Sequence, residues 1–169
     1  KDLLYISSHK VISDGGLGAF DEHGIFPMHI KRIDDCIYGY TCGWSRKISV
    51  DIEMAIGLAK SIDDGITFER VGVGPILGPT LNEPCMVGDP FVLLSNGEYH
   101  MWYIYGSEWK TYPGSARAER IYKIAHAQSP DGIDWKKNNI VSCPKQKEKS
   151  PVKNDPYHLQ LLFFFDIQI

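Results

Sequence analysis

Apolar and polar residues alternate with a period of two along much of this chain, and no segment sustains the period of about 3.6 that marks an amphipathic helix. In 98–105, Tyr99, Met101, Tyr103 and Tyr105 fall on one face of an extended segment, and His100, Trp102 and Ile104 fall on the other. The apolar run 87–94 before it ends at Asn96-Gly97, a strong two-residue hairpin signal. A third strand is predicted over 121–128, a turn over 129–132 and a short fourth strand over 133–136. The preceding part of the chain predicts the same series, with strands near 25–33, 36–43, 54–60 and 66–70 and a first turn at Asp34-Asp35.

The two series are copies of one unit. AIGLAKSIDDGITFER (55–70) matches IAHAQSPDGIDWKK (124–137), with Gly65 answering Gly132 and Phe68 answering Trp135, 67 residues apart in both cases. Residues 26–44 and 89–106 match more loosely. A four-stranded repeat of this length is the sequence form of a β-propeller blade. The expected fold is therefore all-β, a partial propeller of two four-stranded antiparallel blades whose first strands lie side by side. Blades are expected over 20–82 and 83–144, with 1–19 ending a preceding blade or connection and 145–169 starting a next blade or forming an aberrant tail. SIDDGITF (61–68) has the Ser-x-Asp-x-Gly-x-Thr-aromatic pattern of an Asp-box turn. Its carboxylate collects backbone N–H groups, its glycine takes a φ that other residues resist, and its aromatic packs beneath. Asp63, Asp64 and Asp131 are accordingly read as structural.

Composition narrows the function classes. The 169 residues are 43% apolar and 23% charged with a net charge of −3, a globular balance. No basic run is long enough to suggest nucleic acid, and the longest apolar run, Leu161 to Phe165, is too short to cross a bilayer. The start of the chain shows no signal-peptide pattern. Cys36, Cys42, Cys85 and Cys143 have neither metal-ligand nor dense disulfide spacing, so free thiols in a reducing, cytoplasmic setting are expected, with no metal and no cofactor.

Blade geometry sorts the remaining residues. In a four-stranded antiparallel blade the start of the first strand and the loop between strands two and three share one end, and long irregular loops there usually carry function. That end collects Asp21, Glu22 and His23 in AFDEHGIFP (19–27), Asp89 in VGDPF (87–91), Trp44 and Arg46 in one long loop, and Trp109, Lys110 and Arg117 in the other, with Glu83 nearby. Asp21 and Asp89 are 68 residues apart, which places them at equivalent positions in consecutive blades, aimed at one cavity. Each has a plainer reading: Asp89-Pro90 as a strand-starting turn, Asp21 as a cap, His23 as a hydrogen-bonding residue, Trp44 and Trp109 as edge covers. Together, carboxylates ringed by Trp and Arg suit a sugar, whose apolar ring face stacks on indole while its hydroxyls bond Asp, Arg and His.

FDEHGIFP, YTCGWSR, AIGLAKSIDDGITF, GDPFV, YHMWYIYG and YKIAHAQSPDGIDW together resemble the five-bladed propeller glycosidases, the clan of glycoside hydrolase families 32, 43 and 68, and within it a bacterial branch of uncharacterised glycosyl hydrolases. The resemblance covers roughly residues 15–144. It implies glycosidic bond hydrolysis by paired carboxylates, with Asp21 as base or nucleophile and Asp89 as the residue that stabilises the transition state and tunes the acid, although Gly88 stands where arginine is usual. His23, Trp44, Arg46 and Trp109 would bind substrate. The general acid would fall in KQKEKSPVKNDPYH (145–158), where Gln146 occupies the motif position and Glu148 lies out of register. A closed ring would need about twice this chain, so the chain alone is expected to be inactive. Non-hydrolytic sugar binding, sugar phosphorolysis using Arg46, Lys47, Lys110 and Arg117, and a protein-interaction platform are the alternatives.

Overall fold

The computed structural model describes residues 6–141, which contain eight strands and no helix. These are β1 (Gly24–Ile33), β2 (Cys36–Arg46), β3 (Ile52–Ser61), β4 (Glu69–Arg70), β5 (Met86–Ser95), β6 (Glu98–Lys110), β7 (Glu119–Ser129) and β8 (Lys136–Val141). They form two four-stranded antiparallel sheets in the orders β1-β2-β3-β4 and β5-β6-β7-β8. The chain is an all-β partial propeller of two blades. The hairpin turns use residues that tolerate left-handed backbone: Asp34 at φ 51°, Asn96 at 53° and Gly97 at 79°.

The fourth strand of each blade starts later than the sequence suggests, because a carboxylate takes N–H groups that a strand would have used. In the first blade Asp63 accepts from the backbone N–H of Thr67 at 2.9 Å and from its hydroxyl at 2.6 Å. These bonds hold the Asp63 carboxyl down at about 2. In the second, Asp131 accepts from Ile133 N–H at 2.8 Å and Asp134 N–H at 2.9 Å, so 133–135 lie in the turn and β8 begins at Lys136. Asp63 and Asp131 are thus turn-builders, and Asp64 sits at φ 59° on an ion pair with Arg32.

The core lies between the two sheets. From the first blade come Tyr40, Ile56 and Leu58. From the second come Val87, Val92, Met101, Tyr103 and Tyr105. The predicted Tyr99–Tyr105 face is fully buried, as the period of two requires. Tyr40 also donates from its hydroxyl to the carbonyl of Gly132 at 3.1 Å, tying one blade to the other's turn. The opposite face of the first blade carries Ile37, Ala59 and Phe68, and is covered by Val11, Ile12 and Met28.

β1 and β5, the innermost strands, meet through His29. Its Nε2 lies 3.1 Å from the carbonyl of Val92, and its ring contacts Phe91 edge-on at 5.0 Å. Burial holds the His29 pKa below its ordinary 6.5. A histidine that resists protonation when folded contributes stability that is complete above pH 6.5 and is lost as pH falls from there through the lower folded value. The melting temperature is therefore expected to drop on acidification below about pH 6.5. His29→Gln, which still donates to Val92 but does not titrate, should flatten that slope in a melting series. An unchanged slope would place the acid sensitivity elsewhere.

Candidate functional site

Sheet register decides which of the expected residues meet. Gly24 pairs with Trp44 and Met86 with Gly106, so the first two strands of the blades are offset by 62 residues rather than by the 67 of the later motif. The difference is taken up after the second strand, where the β6–β7 connection is longer than the β2–β3 one. Under the observed offset the counterpart of Asp89 is Pro27, and that of Asp21 is Glu83. Both Pro27 and Asp89 sit in the one irregularity of an innermost strand, between Phe26 and His29 in β1 and between Gly88 and Phe91 in β5. The expected equivalence of Asp21 and Asp89 is thereby corrected.

Asp21 and Glu83 form a repeated clamp. Asp21 is 1% exposed and receives Arg70 Nε at 2.8 Å and Nη2 at 2.6 Å on one oxygen, while Arg70 also donates to Ser13 Oγ at 3.0 Å. Its other oxygen is buried against Gly15 with no hydrogen-bond partner among the described residues, and a side chain at Gly15 would collide with it. Glu83 is 3% exposed, accepts from the Tyr103 hydroxyl at 2.8 Å and pairs with Lys137, which also donates to the Gly78 carbonyl at 2.7 Å. Arg70 pairs in register with Ala59 and Lys137 with Ala127, matching positions on the two outermost strands. In each blade, then, a carboxylate just ahead of the first strand is pinned by a cation from the fourth. The expectation that Asp21 shares a cavity with Asp89 does not hold. Asp21 packs over Gly43, whereas the neighbouring Cys42 points to the other side of β2, toward Asp89.

Asp89 has a different character. It is exposed, and it adopts φ 48° inside a strand; the other described non-glycine residues with positive φ, Asp34, Asp64 and Asn96, all lie in turns. Left-handed backbone costs a non-glycine residue about 1 kcal/mol or more and tends to persist where function holds it. Desolvation by surrounding protein raises the Asp89 pKa, and a hydrogen bond with the Cys42 thiol partly opposes the rise. Cys42 itself is fully buried, its thiol pushed up to about 12 by burial, so it stays protonated and donates. The rise sets Asp89 apart from the turn-building Asp63 and Asp131, whose pKa values move the other way.

The residues that surround Asp89 come from both blades. Cys42, Met54 and Met86 form a small buried cluster against which Trp44, Trp109 and Tyr122 pack. Arg120 lies over the rings of Trp109 and Tyr122, 5.7 and 5.9 Å away. His23 is exposed, with its ring 5.8 Å from that of Trp44, and its Nδ1 accepts from the backbone N–H of Arg46 at 3.4 Å. Gly88 also has a local explanation: a side chain there would meet Met54 and the sulfur of Cys42, so the arginine expected before Asp89 has no room. Of the expected residues, Asp89 meets Cys42, Trp44 and Trp109 pack against the cluster that Cys42 forms with Met54 and Met86, His23 and Arg46 lie near Trp44, and Asp21 is bound to Arg70. Gln146 and Glu148 lie outside the described residues. Sequence reasoning missed Cys42 and Tyr122, whose sole signal was their place on the strand faces turned toward the neighbouring blade.

The two long loops meet above this cluster. Arg117 of the β6–β7 loop lies 3.8 Å from Asp51 of the β2–β3 loop, and between the loops opens a cleft of about 600 Å³ that includes Trp44 and Arg46. No group of three or more His, Cys, Asp or Glu suited to a metal ion occurs among the described residues, and no described helix is long and apolar enough to cross a membrane.

Fold and site together define a propeller segment with an aromatic, carboxylate-bearing end. No family model matches the chain. An uncharacterised protein of Mycobacterium tuberculosis H37Rv is 29% identical over 155 residues, which are 92% of this chain and 50% of that protein. The chain spans about half the length of the curated relatives it matches. Among solved structures, a candidate glycosidase from Bacteroides thetaiotaomicron superposes with a TM-score of 0.60 at 18% identity, covering 78% of this chain and 40% of that one. A structure described with the GH130 family of mannoside phosphorylases, which contains glycoside hydrolases that target β-1,2 mannosidic linkages in Candida mannan, gives 0.53 at 23% identity, covering 68% of this chain and 31% of that one. At these identities the likeness is one of fold.

Proposed function

We propose that this chain is part of a glycoside hydrolase-like propeller, of the five-bladed clan its motifs resemble, that binds a saccharide at the end bearing Asp89. Trp44 and Trp109 would stack on sugar rings, His23 and Arg46 would bond hydroxyls, and Asp89 would stabilise positive charge at the reacting carbon and tune a neighbouring acid. The observation that carries this reading is the strained, solvent-open Asp89 with its raised pKa, set against Cys42, whose buried cluster also carries two tryptophans. Glycosidic hydrolysis needs two carboxyls in different protonation states. Asp89 supplies one. The reading gives Asp21 no chemical step, because it is buried and paired with Arg70. The partner carboxyl is assigned to residues outside those described, Glu148 or the remainder of a protein of the relatives' length.

The test is binding of aryl glycosides of arabinose, xylose, mannose, galactose and fructose, read by saturation-transfer NMR and calorimetry. At least one should bind, Trp44→Ala should weaken it about tenfold or more through loss of the stacking surface, and the 169-residue chain should release no aryl alcohol. Absence of binding to every glycoside, or binding indifferent to Trp44, would defeat the proposal.

A further inference from the structure

The cleft between the two long loops carries a charge pattern that the sugar site alone does not require. Its walls include Trp44, Arg46, Lys47, Asp51, Ile52 and Arg117. Three cations and one carboxylate thus face a common space on a chain whose net charge is −3. Two of the cations are already engaged: Lys47 pairs with Glu53, and Arg117 lies near Asp51. Arg46 is exposed, and among the described residues its guanidinium has no carboxylate partner, while its backbone N–H donates to His23. Among the described residues one unpaired guanidinium therefore shares the cleft with one indole, Trp44, which also packs against the Cys42, Met54 and Met86 cluster.

We propose that this cleft is a subsite for a saccharide unit bearing a carboxylate, a uronic acid residue, in the carbohydrate bound at Asp89. The inference rests on the carbohydrate reading above and adds the substrate class. A guanidinium offers a planar pair of donors that matches a carboxylate in bidentate fashion, and an indole offers a surface for the apolar face of the same pyranose. Charge balance selects the monoanion. Among the described residues Arg46 is the cleft cation without a carboxylate partner, and a single guanidinium charge balances a carboxylate but not a dianionic phosphate.

Calorimetry on the chain with methyl β-D-glucuronide, methyl β-D-glucoside and inorganic phosphate tests this. A charge-assisted bidentate contact is worth about ten- to a hundredfold in affinity. The glucuronide is expected to bind about tenfold or more tightly than the glucoside, Arg46→Gln should erase that preference, and Arg46→Lys should keep only part of it. Arg46 is exposed, so both variants should melt as the parent does. Equal binding of the two glycosides by the parent chain would overturn the uronate assignment and leave the carbohydrate reading intact, whatever Arg46→Gln does to both affinities. Phosphate displacing the glucuronide at lower concentration than the glucoside does would also overturn it, in favour of a phosphate site. Failure of both glycosides to bind would remove the subsite and count against the carbohydrate reading as well.

Discussion

Replacing Arg70 by alanine is expected to destabilise the chain by about 3–5 kcal/mol, the usual cost of leaving one member of a buried ion pair without its partner. Asp21 is 1% exposed, and among the described residues the side-chain hydrogen bonds its carboxylate accepts come from Arg70. Removal of the guanidinium leaves a desolvated charge with Gly15 and Gly43 packed closely against it. Arg70 also bonds Ser13, so the covering segment 10–23 loses its attachment to the outer strand at the same time. Lys137→Ala should act in the same direction in the second blade, moderated because Glu83 keeps the Tyr103 hydroxyl. Joint replacement, Asp21→Asn with Arg70→Met, should recover much of the loss, since no buried charge then remains. Denaturant unfolding followed by circular dichroism measures all of these. A loss under about 1 kcal/mol in Arg70→Ala would show that the clamp is ornamental and would reopen a chemical role for Asp21.

The fold was legible in the chain because its signals are local. The alternation in 98–105 and the Asn96-Gly97 turn set β6 and its hairpin, and the two Asp-box turns set the blade ends. The site was legible in part. Trp44, Trp109 and Asp89 were read from their place at one end of the blades; the two tryptophans pack against the cluster that holds Cys42, and Asp89 meets Cys42. Asp21 was misread because sequence spacing was taken from the later turn motif, where the offset is 67, and carried back to strands whose pairing is offset by 62. Spacing alone hides a longer loop between matched motifs; cross-strand partners reveal it. The clamps were invisible for a related reason. Asp21 and Arg70 are 49 residues apart, and only the closure of a blade brings a pre-strand carboxylate onto the fourth strand.

Asp89→Gly should separate function from stability. Asp89 holds φ 48°, a conformation glycine adopts freely, so the change relieves local strain while it removes the Cys42 contact and adds entropy to the unfolded chain. The net expectation is stability unchanged or raised by about 1 kcal/mol. A position kept strained for architecture would respond in the opposite sense. Asp89→Asn, which tolerates the same φ but carries no ionisable proton, should fold as the parent does.

The most direct test of the account is therefore a paired measurement on Asp89→Gly: denaturant midpoint, and affinity for the aryl glycoside that the parent chain binds best. The account predicts a midpoint equal to or above the parent's, with affinity reduced about tenfold or more. A lowered midpoint with affinity retained would contradict it, making Asp89 a structural turn residue and removing the centre of the proposed site.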